Sequence, residues 1–224
     1  MSLKNWVMST KLYDFFGKRS FGQSGEDIIV ASEFGKKKNG FYIDIGAFHP
    51  KLFSNTYLFY KKGWKGIVVE PNLELLKIHE EIRPRDVHVN AGVGEIETVM
   101  EYIMMNDPAS NTFINEEALE SVEKAGRKIV GKKQVAVLPL KKILYQYVPQ
   151  GTEIDILSVD TEGMDLSVLK SNDWKKYRPK IIICEDMEFD LANWKKSKIT
   201  TYLMDLGYEL LGKTPYSLIF RRME

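Results

Sequence analysis

The stretch FYIDIGAFHP, residues 41–50, passes from an apolar strand into polar chemistry. It starts as an apolar run of strand type, is interrupted by Asp44, reaches Gly46 two residues later and closes on His49-Pro50. A carboxylate and a glycine at the end of a buried strand suit a backbone turn that approaches a ligand, because glycine leaves no Cβ in the way. Several ligands meet that description, and the rest of the chain has to choose between them.

Working outward, strand and helix signals alternate. GIVVEPN (66–72) reads as a second strand, and SNTYLFYKKG (54–63) before it as a helix with Ser54 or Asn55 as cap and Gly63 as stop. LELLKIHEEI (73–82) has a one-sided apolar spacing that suits a helix on a sheet, and VHVNAGVG (87–94) reads as the third strand. The pattern then loosens: ETVMEYIMM (97–105) and KQVAVLPL (133–140) look like strands flanking a polar region, 106–133, expected to be a mobile lid-like loop with a short helix. Order returns with helix LKKILYQYV (140–148), strand EIDILSVDTEG (153–163), helix DLSVLKSNDW (165–174), strand KIIICEDM (180–187) and helix KITTYLMDLGY (198–208). YELLGKTPYSLIFRR (208–222) carries two strands around a GKTP turn cue, an antiparallel hairpin.

Strands separated by helices make a mostly parallel sheet covered on both faces. Such sheets take ligands beyond the carboxyl ends of their strands, near the switch point. Asp44, Glu70, Asn90, Asp160 and Glu185 all stand at such ends.

At 224 residues the chain suits one domain, with an N-terminal helical segment over 1–20 and the main domain over 21–224. Lys+Arg 32 against Asp+Glu 31 leaves a net charge of +1, which argues against a nucleic-acid binder driven by charge. The single cysteine, Cys184, excludes an internal disulfide and a multi-cysteine zinc site, and reads as a small buried hydrophobe. No apolar run approaches the roughly 20 residues that span a bilayer. The N-terminus lacks a secretory pattern, so a cytoplasmic location is expected. Residues 3–16 read as an amphipathic helix with Leu3, Trp6, Val7, Tyr13 and Phe16 on its apolar side. It is expected to lie on the domain or on a second copy in a homo-oligomer, with membrane-surface docking as the alternative.

A dinucleotide is the first ligand to weigh, since a carboxylate such as Glu70 could take a ribose diol. The turn D-I-G-A-F-H, however, holds one glycine where a pyrophosphate fingerprint needs three, and Asp44 beside it would repel a pyrophosphate. A cationic, unphosphorylated nucleoside suits the same residues better. S-adenosylmethionine carries a sulfonium, an ammonium and a ribose. Asp44 would favour its positive end, Gly46 would admit the backbone, Glu70 would take the ribose diol and Asn90 the adenine edge. Asp44 as a plain turn former is the competing reading.

The ordered set SGED (24–27), FYIDIGAFHP, SNTYLFYKKGWKGIVVEPN, VNAGVG, ILSVDTEGMDLSVLKS, IIICED and SLIFRR resembles FkbM-type methyltransferases, a class I S-adenosylmethionine-dependent family, over residues 20–222. The resemblance implies a Rossmann-like α/β fold with a mostly parallel seven-stranded sheet ending in an antiparallel hairpin. It also implies S-adenosyl-L-methionine as cofactor and a hydroxyl acceptor on a sugar, glycan or other small natural product. Asp44, Gly46, Ala47, Asn55, Glu70, Pro71 and Asn90 form the expected cofactor set, and Gln23 and Glu26 would join it from a segment covering the cofactor. Ser24 and Asp27 alternatively read as a helix-capping pair.

A hydroxyl acceptor needs a base, and Asp160, Glu162 and His49 are the candidates. Asp160 closes the fourth strand in SVDTEGMD; Glu162 follows before Gly163; His49 is the histidine nearest the first-strand turn. Helix capping is the competing reading for the two acids, and loop shaping for His49. Glu185-Asp186 with Asp160 could hold a divalent ion, but strand-end polarity explains them more simply and no metal is expected. The alternative function is a non-catalytic regulatory module that binds S-adenosylmethionine or a nucleoside. No Asn/Asp-Pro-Pro-aromatic tetrad appears; NDPAS (106–110) is a poor imitation, and no nucleic-acid partner is expected.

Overall fold

The computed structural model describes residues 19–113, 126–187 and 189–224. The helix expected over 3–16 and the middle of the expected loop lie outside these residues.

Among the described residues, ten strands and six α-helices follow in chain order. The main sheet contains β1 (Phe41–Ile45), β2 (Lys65–Val69), β3 (Val87–Val89), β7 (Ile156–Val159), β8 (Ile181–Glu185), β9 (Tyr208–Lys213) and β10 (Ser217–Arg222). Its spatial order is β3-β2-β1-β7-β8-β10-β9, with β10 alone running opposite to the other six. This is the seven-stranded, hairpin-ended sheet that the sequence implies. The order reverses between β1 and β7, which places the switch point beside Asp44 and its register partner Ser158.

Alternation along β1 explains how a strand buried on both faces still carries a carboxylate. Phe41, Ile43 and Ile45 enter the larger apolar cluster, packed with Ile143 of α4 (Leu140–Tyr147), Val168 of α5 (Asp165–Lys170) and Leu203 of α6 (Lys198–Asp205). Tyr42 points to the opposite face, against Val30 of α1 (Glu26–Phe34) and Phe59 of α2 (Tyr57–Lys61). Asp44 shares Tyr42's parity and so emerges on that second face, where α2 starts. The remaining helix, α3 (Leu73–Ile82), covers Val68 through Leu76. Apolar burial on this scale, about 25 cal/mol for each Å² removed from water, is what fixes the strand ends relative to one another.

Several local expectations change. VHVNAGVG is not one strand: Val87–Val89 pairs with β2, while β4 (Gly92–Val93) pairs with β6 (Ile129–Leu138). The Asn90 side chain interrupts the run by donating to the carbonyls of Glu70 and Pro71, at 2.9 and 3.0 Å. With β5 (Thr98–Met105), β4 and β6 form a separate three-stranded sheet in the order β4-β6-β5. Strand β6 begins at Ile129, so residues 129–133 belong to a ladder and not to a loop. The short helix within 106–113 is a 3-10 turn, Pro108–Ser110, held by Asp107. The second helix starts at Tyr57, with the Ser54 hydroxyl accepting from its amide at 3.1 Å.

Ser24 and Asp27 do not form a capping pair. Gly25 stands at the N-cap of α1 with φ +91°, and Asp27 reaches back to accept from the Ser20 hydroxyl and the Phe21 amide. Both acids at this helix start are fully buried, so they close the preceding loop from inside.

Candidate active site

A cavity of about 320 Å³ opens over the carboxyl ends of β1, β2, β7 and β8 and under the second sheet. That size belongs to the small-ligand range of about 300–1,000 Å³. Nine of the expected site residues line it: Gln23, Asp44, Gly46, Ala47 and Asn55 on the β1 side, Glu70 and Pro71 after β2, and Asp160 and Glu162 after β7.

Gly46 is required by the turn itself. Its φ is +72°, and a Cβ built there would lie 1.7 Å from the Asp160 carbonyl oxygen. The ends of β1 and β7 therefore approach each other through a backbone contact that admits no side chain. The Gly46 and Ala47 amides both donate to the Val69 carbonyl, which ties the turn to β2 as well.

Glu70 is buried, and its two oxygens accept from the Phe48 amide at 2.9 Å and the Asn72 amide at 2.8 Å. Burial pushes its carboxyl up to about 7; the two amides oppose that rise and nearby Asp44 adds to it. Each oxygen keeps a lone pair for a further donor. Asp44 is also buried, and desolvation raises its pKa. Arg83 and the Thr56 and Ser158 hydroxyls counter that rise, while Asp86 adds to it. The positive partner expected of a ligand is thus supplied in part from within the protein. The Arg83 guanidinium is fully buried, with Nη1 3.7 Å from Asp44.

The opposite wall carries an acidic group. Asp160 keeps surface open to the cavity yet is enclosed by protein; desolvation raises its pKa well above the ordinary range, and Asp165, Glu185, Glu162 and Asp44 add to the effect. Glu162 is shifted up mainly by burial, with φ +50° holding it at the turn, and Arg127 opposes the shift. Glu185, at the end of β8, is pushed up to about 7 by burial first and then by Glu162 and Asp165. Asp165 lies beneath them at the start of α5, accepting from the Glu185 amide at 2.9 Å and the Thr161 hydroxyl at 2.8 Å. Arg127 is the one basic side chain lining the cavity among the described residues. This crowding favours carboxyl groups that change protonation near neutral pH.

Three expected site residues are placed elsewhere. Asn90 does not line the cavity, and its amide nitrogen is engaged by the Glu70 and Pro71 carbonyls. Glu26 is buried behind the wall, accepting from the Thr214 hydroxyl at 2.6 Å and the Ser24 amide at 2.8 Å. His49 faces a separate shallow surface with Arg19, Lys51 and Lys61. Its Nδ1 accepts from the amides of Lys51 and Leu52, so the ring shapes the loop. Among the described residues no group of three His, Cys, Asp or Glu side chains is arranged to hold a metal ion. The Asp186 carboxylate accepts from Ser197 at 2.6 Å.

Sequence reasoning missed Tyr102, Asp107, Phe113 and Arg127, which descend from the second sheet and its connections to form the cavity roof. Nothing in their spacing marks them. Ser158 was findable, as the lone hydroxyl in the apolar run ILSV beside Asp44.

No curated protein matches this chain. Among solved structures, a TehB-like SAM-dependent methyltransferase from Corynebacterium glutamicum aligns over 98% of this chain and 97% of its own, at 11% identity and a TM-score of 0.44. Residues 44–210, from Asp44 itself to the middle of β9, match the methyltransferase FkbM domain, and the chain belongs to that family of methyltransferases.

Proposed function

We propose that this methyltransferase acts on a hydroxyl group of a sugar, a glycan or another small natural product. The methyl donor is S-adenosylmethionine, which supplies an electrophilic methyl group on a sulfonium. The cavity fits such a group: Glu70 keeps acceptor capacity for a diol, Gly46 leaves the turn bare, and no basic side chain lines the β1–β2 wall. Glu70 would hold the ribose, with Gln23 and Asn55 on the adjoining wall.

The observation that carries the hydroxyl reading is the convergence of Asp160, Glu162 and Glu185 on the opposite side of the same cavity. A hydroxyl keeps its proton at neutral pH, so its attack on a methyl carbon gains from a base in reach. A carboxylate with a pKa of about 7, such as Glu185, is substantially ionised at that pH and a stronger base than an ordinary carboxylate. The chain's residues would otherwise act by orientation, holding the acceptor oxygen in line with the methyl group. The near-balance of charge and the acid-rich cavity both disfavour a polyanionic acceptor.

The test is incubation of the whole protein with S-adenosylmethionine and a panel of sugars and oligosaccharides. S-adenosylhomocysteine release with a methyl ether in the product supports the reading. Tight cofactor binding without turnover across the panel would favour the regulatory module instead.

A further inference from the structure

Asp44 sits in the wall of the cavity under conditions that should neutralise it: it is 4% exposed, with Glu70, Asp86 and Asp160 among its neighbours. Two side-chain relays lead to it. In the first, the Arg83 guanidinium donates to the Thr56 hydroxyl at 2.8 Å, and that hydroxyl contacts Asp44 Oδ2. In the second, the Asn55 amide nitrogen donates to the Ser158 hydroxyl at 3.2 Å, and Ser158 stands beside Asp44 as its register partner on β7.

The direction of each chain follows from chemistry. Guanidinium has donors and no acceptor, so the Thr56 oxygen must accept from Arg83. Its single hydrogen is then left for Asp44. Ser158 is in the same position once the Asn55 amide donates to it. Asp44 therefore accepts from a Thr56 hydroxyl whose orientation is set elsewhere, with the Ser158 hydroxyl beside it on the neighbouring strand, an arrangement that favours the ionised carboxylate. Arg83 is itself anchored: Nε donates to Asp86 at 2.8 Å, and Asp86 in turn accepts from the Tyr42 hydroxyl at 2.7 Å and the Gly66 amide at 2.9 Å.

We propose that Arg83–Thr56 and Asn55–Ser158 are two donor relays that keep Asp44 a carboxylate at the cofactor end of the cavity, and that they thereby set the pH range over which the cofactor binds. Arg83, Thr56 and Ser158 are positioning residues in this scheme. The proposal rests on the reading that Asp44 faces the cofactor. The charged groups around Asp44 are Arg83 on one side and Asp86, Glu70 and Asp160 on the others. Of these, only Arg83 favours its ionisation.

The sign is determined. Binding that needs ionised Asp44 is present above its pKa and lost as pH falls through it. Removing a relay raises that pKa, so the loss moves to higher pH. A hydrogen bond to a charged group is worth about 1.5–3 kcal/mol, which corresponds to a displacement of roughly one to two pH units.

The experiment is calorimetric titration of the full chain with S-adenosylmethionine between pH 5 and 9, comparing wild type with Thr56→Val, Ser158→Ala and Arg83→Lys. Thr56→Val and Ser158→Ala conserve volume closely enough to avoid reliance on a buried arginine deletion. The expected result is a binding profile displaced upward by about one pH unit or more in each hydroxyl variant, with wild-type affinity regained at high pH. Arg83→Lys should show a smaller displacement, because it keeps the charge. Variants with weakened binding but an unmoved profile would overturn the relays and leave those residues merely structural. Asp44→Asn provides the separate control: unchanged affinity in that variant would reject Asp44 as a cofactor residue, whatever the relays do.

Discussion

Gly46 and Asp160 meet backbone to backbone: a methyl group on the first would lie 1.7 Å from the carbonyl oxygen of the second. Two strand ends that supply opposite sides of the cavity are held by this approach. Gly46→Ala must either open it or distort a turn at φ +72°, and strain of that kind costs about 1–3 kcal/mol before the clash is counted. The expected outcome is a lowered urea midpoint together with loss of cofactor binding. A variant with wild-type stability and affinity would show that the turn is not built around the bare glycine.

Glu70 should matter through the direction of its hydrogen bonds as well as through its charge. Glu70→Gln replaces one oxygen by an NH2 facing either the Phe48 or the Asn72 amide, so one backbone donor loses its partner. We expect cofactor affinity to fall about tenfold or more, in keeping with about 1.5–3 kcal/mol for hydrogen bonds to a charged group. Calorimetry showing wild-type affinity would remove the ribose from this position.

The free protein should lose stability as pH rises from about 4.5 towards about 7. Glu70 and Glu185 both have pKa values raised from 4.5 to about 7, so across that window the unfolded chain gives up protons that the folded state retains. Stability that is present below the unfolded pKa is therefore withdrawn as pH rises through the folded one. Asp165, raised from 3.8 to about 6, acts in the same direction at slightly lower pH. Urea midpoints at closely spaced pH values check this, and Glu185→Gln should flatten the slope. A midpoint rising across the same window would contradict the assignment.

Much of this was legible in the chain, for identifiable reasons. Phe41–Ile45 and Ile181–Glu185 are apolar runs with an acid in the last or next-to-last place, and a buried parallel strand has few other ways to look. The helix over Leu73–Ile82 follows from spacing together with Asn72, whose side chain caps it. The cavity roof was not legible, because Tyr102 and Arg127 reach the site through a ladder between residues 98 and 138 that no local spacing announces. Asn90 and Glu26 were misplaced for a shared reason. A polar residue at the end of a strand or the start of a helix serves equally well to satisfy neighbouring protein groups, and only the three-dimensional partners separate the two uses. Arg83 escaped notice because an arginine at a helix end is ordinarily a surface residue, whereas here it is 0% exposed.

We propose that a carboxylate of the Asp160–Glu162–Glu185 group takes the acceptor's proton, and that His49, on a separate surface, does not. The measurement is single-turnover methyl transfer by Asp160→Asn, Glu162→Gln, Glu185→Gln and His49→Ala, each at saturating cofactor. At least one of the three acid variants should lose about 100- to 10,000-fold in rate while its cofactor affinity stays within a few-fold of wild type, and His49→Ala should retain most of the rate. Loss of activity in His49→Ala alone, or full activity in all three acid variants, would contradict it.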